Sequence, residues 1–282
     1  MLPAARQRNL LAHIWGHSQA KVGLIIGGLL LCFVVIGPLV YRVDPTQQDY
    51  SMKLSPPNAA HILGTDQSGR DQLARLMEGG SRSLGAALLV LILVSSIGLV
   101  IGLIAGMSGG WFDALAMRLV DVMMALPGMV MAIAVVGVLG PSFVNLLVAL
   151  VVSSWAYYAR LSRSYVLTAR QRQDVISARL AGIGWGRIVL THILPGVLTQ
   201  LIVIVTLNLG SMISWISGLS FLGLGVQPPD AEWGAMLSGS RLYFTMAPWL
   251  LIAPAILIFL SVISANLLGN ALRDIWDPKT NG

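Results

Sequence analysis

Five stretches of this chain carry no charged side chain over roughly the length of a bilayer, and that pattern constrains the fold more than any other feature. A helix rises about 1.5 Å per residue, so about 20 apolar residues cross a hydrocarbon core of about 30 Å. Residues 22–40, 83–112 (most apolar over 84–106), 193–229 and 242–272 each supply one span. Residues 122–159 are too long for one and break at Gly137, Gly140, Pro141 and Ser142, which predicts two helices joined by a tight turn. The fold class expected is therefore an all-α polytopic membrane protein with six transmembrane helices and both termini on one side. Composition agrees: 11% of residues are charged, where a soluble domain carries about a quarter.

Lysine and arginine set the orientation. With the N-terminus inside, the inner segments hold Arg6, Arg8, Lys21, Arg118, Arg160, Arg163, Arg170, Arg172, Arg179, Arg187, Arg273 and Lys279. The outer segments hold only Arg42, Lys53, Arg70, Arg75, Arg82 and Arg241, outnumbered there by acids. The positive-inside rule places both termini in the cytoplasm. It also accounts for the net charge of +6 without nucleic acid. The first apolar run resembles a signal sequence but has no small-x-small cleavage site before Arg42, so it reads as a retained span. The expected layout is a cytoplasmic N-terminus over 1–21, a first span over 22–41 and a periplasmic segment over 42–83. A core over 84–272 then holds spans two to six and a cytoplasmic helix near 173–192, followed by a tail over 273–282. The lone Cys32 lies in an apolar run and offers no disulfide framework.

Several features are weighed against packing alone. Residues 72–80 are expected to form a short helix entering span two. Gly98, Gly102 and Gly106 recur every fourth residue, the spacing that lets membrane helices approach closely. Arg118 and Asp121 share a helix face and are expected to pair with each other or to snorkel, because a charge in the membrane is costly. Pro127 is expected to kink the same helix. Trp233, Tyr243 and Trp249 suit an outer aromatic belt, and Trp155, Tyr157 and Tyr158 an inner one. Asn208, Ser211, Ser214, Ser217 and Ser220 wind as a polar ridge along span five. A polar ridge in lipid must face helices or water, so packing and pore lining both stay open for it.

The chain has no Gly-x-x-x-x-Gly-Lys-Ser/Thr phosphate loop, no His-Glu-x-x-His and no Gly-x-Ser-x-Gly. No span offers a histidine or lysine near mid-depth to activate a nucleophile, so no catalytic residue, metal site or resident cofactor is expected. An ion-driven secondary transporter or channel is the alternative reading. Such proteins place a carboxylate near mid-membrane, and none occurs within 122–159 or 193–229.

The least membrane-like stretch of the second half runs over 173–195, after Arg160, Arg163, Arg170 and Arg172. Its two short apolar-periodic pieces, broken at Gly182, Gly184 and Gly186, predict helix, turn, helix on the cytoplasmic face. A segment with so little to bury against reads as a docking element. Ser177-Ala178, Gly182 and Ile193-Leu194-Pro195 resemble the coupling loop of binding-protein-dependent ABC importer permeases. Ile176 stands where that family often has glutamate, and Ser177 where it has the first alanine. His61-Ile62-Leu63-Gly64-Thr65-Asp66 with Gly69-Arg70-Asp71 is similar to the peptide and nickel permeases, specifically the second of their two dissimilar subunits. So are the residues from Leu219 through Pro228-Pro229 to Gly234, and the ending from Asn266 to Asp277-Pro278. The stretches Trp155–Arg160 and Arg170–Gln173 lean to the nickel branch.

The resemblance implies a type I ABC importer permease (MetI-like) in a bacterial inner membrane, forming half of a pore with a second homologous permease. Two cytoplasmic ATPase subunits would hold ATP and magnesium, and a periplasmic solute-binding protein would deliver nickel, as ion or chelate, or di- and oligopeptides. Asp174, Ile176, Ser177, Ala178, Arg179, Gly182 and Pro195 would couple to the ATPase, and the Asn208–Ser220 ridge would meet the solute.

Overall fold

In the computed structural model, which describes residues 18–276, every long apolar run is a helix, since backbone in lipid must satisfy its own hydrogen bonds. In chain order these are α1 (Ser18–Val40), α2 (Gln72–Ser108), α3 (Gly110–Ala125), α4 (Gly128–Leu139) and α5 (Phe143–Arg170). They are followed by α6 (Gln173–Leu180), α7 (Trp185–Phe221), α8 (Trp233–Ser240) and α9 (Trp249–Trp276). Helices α1, α2, α5, α7 and α9 are long and apolar enough to cross a membrane, and α3 with α4 makes a sixth span if that bent pair is counted as one. Arg6, Arg8, His13, His17, the Asp277-Pro278 ending and Lys279 lie outside the described residues.

Prolines explain where the helices depart from regularity. Pro127 has no amide to donate and pushes Leu126 to extended backbone (φ −97°, ψ 139°), so α3 and α4 meet at 89°. The kink expected there is a full corner. The predicted turn at 140–142 is present, and Asn145 Nδ2 donates to the carbonyls of Leu139 (2.9 Å) and Gly140 (3.0 Å) that end α4. Two five-residue π-turns, Cys32–Ile36 in α1 and Val189–Ile193 in α7, each stand just ahead of a proline, Pro38 and Pro195. A prolyl ring clashes with the carbonyl four residues earlier, and the wider turn makes room for it. Hence α7 passes through Pro195 unbroken and runs over 37 residues, about 55 Å, beginning at Trp185 where the span was expected from 193.

Packing divides the chain into two units. The first takes the residues up to Leu88, Val136–Leu147 and those from Thr206 onward. In it α1 lies on α9, with Gly23 against Leu267 and Leu268 and the Ser264 hydroxyl donating to the Gly23 carbonyl at 2.8 Å. Trp233, expected in an interfacial belt, is instead the centre of this unit's core with Val34, Leu76 and Met236. Its indole fits against Gly80 and donates to the Leu76 carbonyl at 2.8 Å. An indole whose N–H finds a buried acceptor gains more from burial than from an interface.

Several charged groups in this unit are buried and partnered. Glu232 is 0% exposed; its carboxylate accepts from the Ser83 hydroxyl (2.8 Å) and from the amides of Gly234 (3.0 Å) and Ala235 (2.9 Å), capping α8. Asp66 takes Arg70 Nε at 2.7 Å and Arg75 Nε at 3.3 Å, and both guanidinium groups donate to the Pro229 carbonyl. Asp71 caps α2 by accepting from the Ala74 amide at 2.8 Å, and its other oxygen takes the Tyr41 hydroxyl at 2.8 Å. Burial, and then that hydrogen bond to Asp71, push the Tyr41 phenol up to about 12. Held by this cap, the helix expected over 72–80 starts at Gln72 and runs straight into span two as the first turns of α2. Pro254 leaves the Leu250 carbonyl without its helical donor, and Gln72 Nε2 (3.3 Å) and Ser240 Oγ (3.1 Å) replace it.

The second unit comprises Leu89–Val135 and Val148–Val205. Its seam is the glycine repeat: a Cβ at Gly102 would stand 2.5 Å from the Ala159 carbonyl, and at Gly106 2.8 Å from Val166. Gly98 meets Tyr158 and Ala159 in the same way. The spacing thus serves close packing of α2 on α5, as expected. Two ion pairs join α3 to α5: Arg163 to Asp113 at 2.6 Å, and Arg160 to Asp121. The latter replaces the expected Arg118–Asp121 pair, because Arg160 reaches Asp121 from the facing helix while Arg118 is turned to the exposed side. Tyr158, assigned above to an aromatic belt, is buried.

Candidate functional site: the docking segment and the serine ridge

The segment over 173–195 begins with a bidentate pair inside its own first turn, Arg172 Nε and Nη2 to Asp174 at 3.0 and 2.8 Å. An acid at the N-terminal turn of α6 also suits the helix dipole. Val175 and Ala178 point inward, where α6 packs on the start of α7 above the buried Ile188 and Ile193. The helix ends in a Schellman turn: the Gly182 amide donates to Arg179 (3.0 Å) and the Ile183 amide to Ala178 (3.1 Å). That turn needs a left-handed residue at Gly182, whose φ is +81° with open space where a side chain would be. Glycine is therefore required here by backbone conformation rather than by crowding.

With the acid paired and the small residues turned in, apolar side chains are left facing out. Leu180 is 84% exposed, Ile176 48% and Leu190 65%. Ser177 and Pro195 are exposed beside them. Arg179 is exposed and places its guanidinium 4.7 Å from the ring centre of Trp185, and Arg170 places its own at 5.6 Å. Trp185 escaped sequence reasoning. The only signal for it was a lone aromatic between Gly184 and Gly186 in an arginine-rich loop.

The ridge on α7 divides. Ser211 and Ser214 are exposed and Asn208 is partly so. Ser217 and Ser220 are buried, the first under Gly234 of α8 and the second under Gly225. A polar cavity of about 220 Å³ lies next to Ser220, lined also by Arg70, Arg75, Gln72 and Ser240. Its two arginines are already held by Asp66 and backbone carbonyls. Among the described residues no group of three or more metal-ligating side chains occurs.

The chain is thus a polytopic helical protein with a short helix, α6, set between two of its spans. Residues 98–282 match the family model described as "Binding-protein-dependent transport system inner membrane component", and the chain belongs to that family. It is an inner-membrane permease subunit, not a catalytic one. The chain is 41% identical to the nickel transport system permease protein NikC of Escherichia coli (strain K12), over 92% of this chain and 94% of that one. It is 40% identical to the di/tripeptide transport system permease protein DppC of Pseudomonas aeruginosa (94% and 90%). It is 42% identical to the glutathione transport system permease protein GsiD of Pectobacterium atrosepticum (82% and 77%).

Proposed function

We propose that this chain is one half of the translocation pore of an ATP-driven importer for nickel, as ion or chelate, or for di- or oligopeptides. It pairs with a second, homologous permease and works with two cytoplasmic ATPase subunits and a periplasmic solute-binding protein. Both termini face the cytoplasm, as the lysine and arginine distribution requires. ATP and magnesium belong to the ATPase subunits.

The observation that carries this reading is the exposed apolar face of α6. Leu180 and Ile176 stand out from a helix whose one acid is paired with Arg172 and whose Arg179 lies over Trp185, which is the surface a partner's apolar groove buries. Gly182 sets the angle at which α6 is presented, and Pro195 lies in the stiff helix α7 that continues to the serine ridge. Closing of the ATPase pair on ATP moves α6, α7 moves with it, and the exposed ridge members Asn208, Ser211 and Ser214 meet the passing solute. Ser217 and Ser220 take the packing role. Nickel stands beside peptides because relatives named for both match over nearly the whole chain.

The test is reconstitution with the partner subunits and the binding protein, comparing the native chain with Gly182→Trp. The variant should assemble but lose hydrolysis stimulated by the loaded binding protein. Undiminished stimulation, or uptake by this chain without any ATPase, would overturn the proposal.

A further inference from the structure

We infer that Trp185 is a strut, held by Arg170 and Arg179, that ties the docking helix to the ends of α2 and α5 as well as to α7. The inference rests on the docking role proposed for α6. Trp185 is the first residue of α7; Arg179 lies in the last turn of α6, and Arg170 is the last residue of α5. Both guanidinium groups lie within about 6 Å of the ring centre, the range in which a cation is drawn to an indole face.

Arg170 has a second attachment. Its Nη1 donates to the Gly106 carbonyl at 2.7 Å, in the last turn of α2. That carbonyl lacks its usual donor four residues on, because Gly109 and Gly110 turn the chain away with φ of +62° and +60°. A cation on the free carbonyls of a helix C-terminus is favourable both as a hydrogen bond and against the helix dipole. One arginine therefore closes the end of α2, terminates α5 and touches the strut. Displacement of α6 is then passed sideways to two spans at once, and α7 is not the sole path. Arg179, exposed at the end of α6, acts on Trp185 as a positioning residue.

The competing explanation is a tryptophan that merely anchors an interface, indifferent to Arg170. The two separate in the assembled transporter in proteoliposomes, reading solute taken up per ATP hydrolysed. Trp185→Leu should lower this ratio about 2- to 30-fold with basal hydrolysis and subunit stoichiometry kept, the span expected when one link of a coupled network is removed. Trp185→Phe, which keeps a ring face, should recover most of it. Arg170→Gln should lower the ratio too, and the double variant should be no worse than Trp185→Leu alone. A native ratio in Trp185→Leu, no recovery by phenylalanine, or additive losses would each overturn the strut. If Trp185→Leu does not assemble, Arg170→Gln with a native ratio overturns it equally. Leu180→Glu serves as the control: if it too leaves uptake native, the docking role itself fails, whereas loss there with a native Trp185→Leu refutes only the strut.

Discussion

The two stretches of this chain that look least like membrane, the loops packed around α8 and the segment containing α6, solve opposite problems. Around α8 the charges go in: Asp66, Arg70, Arg75 and Glu232 are buried, and each finds partners among side chains and backbone. Around α6 Arg172 and Asp174 pair on the surface and leucine and isoleucine come out. A buried ionic network is costly to break but gives no attachment point, and an exposed apolar face is the reverse. The first stretch is built as a scaffold, the second as the contact proposed above.

That contrast is open to attack at several points. The largest effect should come from Glu232→Ala, which leaves two amides and the Ser83 hydroxyl buried without an acceptor. Thermal unfolding of the purified chain in detergent should show a loss of about 3 kcal/mol or more. A loss well under 1 kcal/mol would mean the cap is not structural. Next, Gly102→Val forces a side chain into the Ala159 carbonyl and should destabilise by about 1–3 kcal/mol in the same measurement. Gly182→Ala should cost about 1 kcal/mol, from backbone strain alone, while Gly182→Asn, which tolerates a left-handed turn, should cost less. Equal losses would show that crowding, not conformation, selects glycine there.

The smallest effect concerns Tyr41. Its pKa is raised, so the protonated phenol that holds Asp71 contributes in full below the ordinary value of 10 and is lost as pH climbs through about 12. Tyr41→Phe should therefore be less stable than the native chain by about 1 kcal/mol at pH 8, with the gap closing towards pH 12. A gap that does not change with pH would assign the difference to packing.

The helices and the family were legible because their causes are local. Runs without charge, the glycine spacing at 98, 102 and 106, and the turn at 140–142 each follow from neighbours in sequence. What escaped depends on distant partners. Nothing near Trp233 says that Gly80 leaves room for its ring, and nothing near Asp121 says that Arg160 arrives from α5 in place of Arg118. The continuity of α7 through Pro195 was hidden for a related reason, since a proline reads as a breaker unless the π-turn before it is seen. In the segment over 173–195 the sequence marks out candidate residues but does not sort them by direction. Val175 and Ala178 are buried and Ile176 and Leu180 exposed only once α6 lies on α7.

The central claim, that the outward face of α6 is the ATPase contact, is tested most directly by cross-linking. Cys32 is the chain's only cysteine, so a Cys32→Ser background leaves none, and single cysteines can be placed at 180 and, as an inward control, at 175. In membranes containing the complete transporter, a short thiol cross-linker should join position 180 to the ATPase subunit and leave position 175 unjoined. A position 180 that joins no ATPase, or joins it no better than 175, would contradict the account.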